Sequence, residues 1–244
     1  SSDVCSSDLK QNMAGVTPLT KKESKSPSWS FSSLKAFQNC PKQYYHTKVL
    51  KQHPVEETEA IRYGNRFHKM AEEYVRDGVM VPSEFVWAKA TLDSLMGMKG
   101  TKHCELKFAL TESLNPCEFM SKDVWWRGIA DLLILNGDRA TVIDYKTGSS
   151  ARYADTGQLE LMALAVFKHY PEVQSVRAGL LFVVANAFPK AAYQRADEGK
   201  MWEKWLKEYS RMQSAYTNDV WNPNPSGLCK RHCPVLECPH NGRN

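Results

Sequence analysis

The sequence predicts an α/β fold in which a mixed central sheet is flanked by helices, and three observations carry that prediction. Residues 124–135 (VWWRGIADLLIL) and 139–145 (RATVIDY) are rich in β-branched and aromatic side chains, and Asn136-Gly137-Asp138 between them is a tight-turn signal, so an antiparallel hairpin is expected. Helical patterns stand on both sides of that hairpin. A continuous apolar run at 176–184 adds a strand after an intervening helix, which makes the sheet mixed.

Phe31, Leu34, Ala36, Phe37, Tyr44 and Tyr45 suit a first helix, with Ser30 or Ser32 as its N-cap and a stop or kink near Cys40-Pro41. Residues 58–76 and 84–97 predict two more helices, and the alternation of Leu106, Phe108 and Leu110 predicts a strand before the hairpin. A helix near 155–169, the strand at 176–184 and a long helix near 195–215 follow, the last with Trp202 and Trp205 on or near one face. The expected order is α-α-α-β-β-β-α-β-α.

With 244 residues and 42% apolar content the chain supports one sizeable core, read here as a single domain over 28–221. Residues 1–27 are Ser/Lys-rich and expected to be disordered; their start, SSDVCSSDL, looks like a translated sequencing adapter, so Cys5 carries no weight. A net charge of +5 permits nucleic acid as a partner without demanding it. No apolar run approaches the ~20 residues of a membrane helix and no secretory leader opens the chain, so a cytoplasmic location with no membrane partner is expected.

Asp131 and Asp144 lie inside apolar strands, where a carboxylate is costly unless paired or coordinated. Lys146 shares a strand face with Asp144 by two-residue alternation. The set is either a buried Asp-Lys pair closing a strand end or the carboxylate cage of a divalent ion. The tail, residues 222–244, holds Cys229, Cys233 and Cys238 among prolines and glycines and cannot build a core of its own. Seven cysteines without an export signal argue for metal ligation over disulfides, and three thiolates leave a four-ligand site one short. Cys40, His232, His240, Cys104 and Cys117 are the available fourth ligands, although Cys104 and Cys117 read as ordinary strand residues.

These pieces, in order, resemble the PD-(D/E)XK nuclease superfamily and specifically its RecB-like branch. Ser32-Ser33-Leu34-Lys35-Ala36-Phe37-Gln38-Asn39-Cys40-Pro41-Lys42-Gln43-Tyr44 is similar to the family's opening S-x-L-x-x-F-x-x-C-P-x-x-Y helix, and Gly64 to His68 to its G-x-x-x-H segment. Glu105, Asp131, the Asp144-Tyr145-Lys146 unit and Gln158 occupy the places of its later motifs, and Met162 stands where the family usually has tyrosine, a position that contacts phosphate. The resemblance runs from about Ser32 to Cys238 and implies a restriction-endonuclease-like fold and a metal-dependent DNA nuclease acting on DNA ends or single strands. It implies Mg²⁺ or Mn²⁺ on His68, Asp131, Asp144 and the Tyr145 carbonyl, the imidazole shifting preference toward Mn²⁺. Lys146 would orient or activate water, Glu105 would be an outer ligand, and Gln158 would steady the water, the lysine or a phosphate.

The cysteine tail resembles that of relatives carrying a [4Fe-4S] cluster, with Cys40 joining Cys229, Cys233 and Cys238; zinc is the alternative, because here three and then four residues separate the trio instead of two and five. Trp125 and Trp126 are candidates to stack on bases, with at least one expected in the core. No Walker A sequence is present, so any helicase or recombination motor would be a partner, and the compact chain would suit a virus-encoded enzyme acting in the host cytoplasm. A non-catalytic nucleic-acid-binding module clamped by its cysteine site, and a zinc-stabilised interaction protein with a structural acidic pair, are the competing readings.

Overall fold

The first helix begins where a serine pair satisfies its loose amides. The structure, a computed structural model, describes residues 27–54, 57–152 and 154–243, so the expected disordered stretch at 1–27 lies outside it except for Pro27. Ser30 is the N-cap of α1 (Phe31–Asn39): its Oγ accepts from the Ser33 amide at 3.3 Å and the Ser33 Oγ accepts from the Ser30 amide at 2.8 Å. Cys40 takes an extended backbone, φ −163°, and breaks the helix; Pro41 restarts it as α2 (Pro41–Tyr44), which runs into a π-helical turn, Tyr45–Val49. Helix α3 (Glu59–Asp77) is capped by Thr58 and ended by left-handed Gly78, and buries Phe67, Met70, Ala71, Tyr74 and Val75.

The helix expected at 84–97 has a different beginning. Ser83–Ala88 is a 3₁₀ turn, and α4 (Lys89–Met96) follows it. Phe85 and Ala88 are both buried, and a three-residue repeat stacks such a pair on one face, which a 3.6-residue turn would not.

Among the described residues one sheet of five strands runs in the order β1 (Thr101–Leu110), β2 (Trp126–Asn136), β3 (Arg139–Lys146), β4 (Ser175–Phe182), β5 (Lys190–Gln194). The first three form an antiparallel meander, with Asn136 opposite Arg139 around a two-residue turn in which Gly137 has φ 59°. Strand β4 joins β3 in parallel after the crossover helix α5 (Gly157–His169), and β5 returns antiparallel before α6 (Glu198–Asn218). The expected order omitted β5. Its sequence, KAAYQ, is half exposed and alanine-rich, so an edge strand here is held by its ladder to β4 and not by side-chain preference.

Two layers of helices cover the sheet. Leu132, Ile134, Ile143 and Tyr145 pack with α3 and α4, while Leu133, Val142, Ala178 and Leu180 pack with α1, α5 and α6. Helix α5 buries residues on every side, as its place between sheet and α6 requires, and α6 seats Trp202, Trp205, Tyr209 and Met212 in that core. Trp125 and Trp126 are 7% and 1% exposed, so neither is available to stack on bases. Trp125 precedes β2 and meets Tyr209 of α6 at 4.9 Å, outside the alternation that places Trp126. Cys117 also departs from expectation: it lies in the loop between β1 and β2, where Pro116 has no amide to extend a ladder, and its amide donates to the Ala109 carbonyl at 3.1 Å. No helix among the described residues is long and apolar enough to cross a membrane.

Candidate functional site

The strand meander breaks its own alternation at one level, and the acidic residues gather there. Cys104 packs with the α3 layer while Leu106, Phe108 and Leu110 pack with the α5 layer, although a regular strand would turn Cys104 and Leu106 to one face. The switch occurs at Glu105, whose φ of 50° is left-handed. On β2 the same change falls between Ala130 and Leu132, the residues paired with Leu106 and Cys104, so Glu105 and Asp131 stand at the same step. The β2–β3 pairing ends at Leu132 opposite Ile143, and beyond it the Asp131 Oδ2, not a backbone carbonyl, accepts the Tyr145 amide at 2.7 Å. The opening strand end is thereby held by a carboxylate.

Two groups of side chains face each other across that opening. His68 of α3 puts Nδ1 at 3.3 Å from Asp131 Oδ1 and 3.9 Å from Glu105 Oε1, and one donor atom from each of the three lies within 4.8 Å of the others. Gly64, one turn earlier on the same helix face, eases this approach: a Cβ there would stand a tight 3.3 Å from Oγ1 of Thr147, the residue after β3. On the other side Lys146 Nζ sits 2.5 Å from Asp144 Oδ2 and donates to Gln158 Oε1 at 3.3 Å, while Gln158 Nε2 donates to Asp144 Oδ1. Gln158 reaches the strand end because it lies in the first turn of α5. The Tyr145 ring is buried between Phe67 and His68, with centroids at 5.8 and 5.9 Å.

The electrostatics are those of an acidic cage short of positive charge. Burial, and then the Asp131 charge, push the Asp144 carboxyl up to about 6, against the opposing pull of Lys146 and His68. Burial opposes charge on His68, but its contacts with Asp131 and Glu105 outweigh that and raise it to about 10. Asp144 Oδ2 is buried, and among the described residues it has no aligned hydrogen bond; Lys146 meets it as an ion pair. One imidazole and two carboxylates converging, with a third buried carboxylate beside them, form a donor set that fits a divalent ion of the Mg²⁺ or Mn²⁺ kind.

Two clefts reach this centre. One, about 760 Å³, is lined by Ile61, Gly64, His68, Glu105 and Thr147; the other, about 420 Å³, by Ser30, Phe119, Arg127, Gly128, Lys146 and Met162. Thr147, Arg127 and Phe119 were not singled out by sequence. Thr147 could have been, since it directly follows the Asp-x-Lys unit. Met162 is 5% exposed and offers the second cleft a thioether, with no hydroxyl for a phosphate.

The four cysteines come together away from this centre. Cys40, Cys229, Cys233 and Cys238 line one enclosed pocket with His240, whereas exposed His232 does not line it, and Cys104 is in β1 on the α3 layer. Cys40 Sγ accepts from the Gln43 amide at 3.5 Å and the Asn224 amide at 3.4 Å, and Cys229 Sγ from the Ser226 amide at 3.4 Å. Asn224 Nδ2 also donates to the Asn39 carbonyl at 3.0 Å, which ties residues of the tail to the end of α1. Burial raises the Cys233 thiol, as do its neighbours Cys229, Cys40 and Cys238.

Comparison with known proteins identifies the family and the fold. The chain aligns with a structure of a candidate exonuclease from Eubacterium rectale at a TM-score of 0.52 and 13% identity, over 87% of this chain and 90% of that one. A second structure, SSO0001, aligns at 0.41 and 12% identity over 89% and 88%, too distant to carry an argument. At such identities the first likeness speaks for the fold alone. No curated protein matches the chain. The sequence model of one family spans residues 28–238, from the Trp29 end of the first helix to the last cysteine, and by that match the chain belongs to the PD-(D/E)XK nuclease superfamily, whose members are hydrolases of nucleic acid.

Proposed function

We propose that the chain is a metal-dependent DNA nuclease of the RecB-like branch, acting on DNA ends or single strands. The observation that carries this reading is the clustering of Glu105, Asp131 and His68 beside an Asp144–Lys146–Gln158 group at one opened strand end. His68, Asp131 and Asp144 would hold the ion, with the Tyr145 carbonyl available and Glu105 as an outer ligand. When bound, a divalent ion lowers the pKa of a water and offsets the charge that grows on the phosphate. Lys146 orients the attacking water and shares that charge; Gln158 fixes the lysine and the Asp144 carboxylate in register. Arg127 and Lys146, both on the second cleft, are placed to follow a phosphate backbone. The test is degradation of end-labelled single-stranded and duplex DNA beside a closed circle, with and without Mg²⁺ or Mn²⁺. Cutting of the closed circle as fast as the ends would replace the exonuclease assignment with an endonuclease.

Binding is expected to be electrostatic and indifferent to sequence. Affinity for DNA should fall steeply with salt, and Arg127→Ala should reduce the log–log slope by about 0.9 if that side chain meets one phosphate. A slope unchanged in the variant moves the backbone track elsewhere. Gly64→Val tests the geometry from behind. Its branched side chain has to displace Thr147 or lift α3, and Mn²⁺ affinity measured by calorimetry is expected to drop about tenfold with only a few degrees' change in melting temperature. Equal affinity would mean that α3 can shift without moving His68 off the site.

For the tail we propose a [4Fe-4S] cluster held by Cys40, Cys229, Cys233 and Cys238. The amide donors to Cys40 and Cys229 are of the kind that tune cluster sulfurs, and they support this reading.

A further inference from the structure

The turn that follows α2 carries two histidines, and the fold brings a third donor to them from the far end of the chain. Lys51 has a left-handed φ of 54°, and the Gln52 amide donates to the His46 carbonyl at 3.0 Å, so the chain folds back until the His46 and His53 rings stand 6.4 Å apart. Glu237, beside Cys238 in the tail, places Oε1 at 3.0 Å from His46 Nδ1. Gln52 Oε1 lies 2.8 Å from the same nitrogen. One ring N–H makes one straight hydrogen bond, yet two oxygens converge on it. His53 Nε2 is buried and has no hydrogen-bond partner among the described residues, an expense with no return inside the protein. One donor atom each from His46, His53 and Glu237 lies within 4.8 Å of the other two.

We propose that His46, His53 and Glu237 form a second metal site, for a borderline ion of the Zn²⁺ class, which clamps the cysteine tail to the turn after α2. Two imidazoles and one carboxylate are a donor set that Zn²⁺ accepts with a fourth ligand, and Gln52 Oε1 or water completes it. Ligands of a tetrahedral Zn²⁺ at about 2.0–2.1 Å lie ~3.3 Å apart, close to the observed nitrogen–oxygen approaches. The same donors rank Mg²⁺ far below Zn²⁺, whereas the centre at Asp131 and Asp144 is dominated by carboxylates, so the two sites divide the ions between them. This site stands on different residues from the proposed nuclease centre and does not depend on it. The alternative is a protonated His46 in a simple ion pair with Glu237.

The full chain, loaded with Zn²⁺ and freed of excess, should hold one zinc ion more than the Glu237→Ala and His53→Ala variants treated alike. His103→Ala, on β1 and away from both tail sites, should hold as much as the unmodified chain. Any zinc on the cysteines is common to all and cancels. In the unmodified chain, zinc should also slow tryptic cleavage at Lys230 and Arg231 about tenfold, and in Glu237→Ala it should not. The Glu237 side chain is 54% exposed, so its loss leaves the fold intact and decides the matter alone if His53→Ala misfolds. Equal zinc in Glu237→Ala and the unmodified chain overturns the proposal and leaves the ion pair.

Discussion

Lys146→Ala is expected to slow phosphodiester cleavage by ~10²- to 10⁴-fold while the chain stays folded. Its ammonium lies 2.5 Å from Asp144 Oδ2, and its side chain is 35% exposed at the end of β3, so removal opens no cavity in the core. Two losses combine. The attacking water loses its orienting group, and Asp144, already raised to about 6, loses a charge that draws it down, so the carboxyl shifts further toward the neutral form and becomes a poorer ligand. Asp144→Asn, which keeps the shape and the contact with Gln158, should be at least as inactive. Single-turnover rates at saturating Mg²⁺ and Mn²⁺, beside circular dichroism, give the comparison. Cleavage by Lys146→Ala at the unmodified rate would take the lysine out of the chemistry, and normal rates in both variants would dissolve the assignment of the site.

Cys40→Ser is expected to lower stability by about 3 kcal/mol or more and to release the tail to proteases. The substitution is informative because Cys40 is also the N-cap of α2, where its Sγ accepts from the Gln43 amide. Serine caps a helix at least as well, so any large loss belongs to metal ligation and not to the helix end. A centre joining Cys40 to the tail closes a loop of roughly 190 residues, which restricts the unfolded chain strongly. Anaerobic preparations should be brown, with absorbance near 400 nm, and the variant colourless; Cys104→Ser should match the unmodified chain. Colourless unmodified protein with stoichiometric zinc would exchange the cluster for zinc. Metal content unaffected by Cys40→Ser would send the search to His240, which lines the same pocket.

The hairpin of β2 and β3 was legible because its signals are local: β-branched runs, and a turn whose Gly137 takes the left-handed conformation that the pair requires. So was the break at Cys40-Pro41, which rests on the proline ring. Strand β5 was not legible, since an alanine-rich edge strand is specified by its partner. At least one core tryptophan was expected from alternation, and both are buried; the burial of Trp125 lay beyond that reading, because it stands before the strand whose period was applied to it. At the candidate site, Asp131, Asp144 and Lys146 could be read from their cost inside apolar runs. That Glu105 stands level with Asp131 could not, because its backbone leaves the period on which such a reading depends. His46, His53 and Glu237 left no trace in sequence, for their meeting is made by a turn and a tail from opposite ends of the chain.

The left-handed backbone of Glu105 carries a price that any L-residue other than glycine meets, about 1–2 kcal/mol by steric argument. Glycine would sit there without strain, yet the position holds a carboxylate. On the proposed role of Glu105 as an outer ligand, the demands of durability and of chemistry pull apart at this residue, and the sequence sides with chemistry. Selection for heat resistance alone would therefore be expected to erode the single carboxylate of β1 early, before it touched the fully buried residues around it.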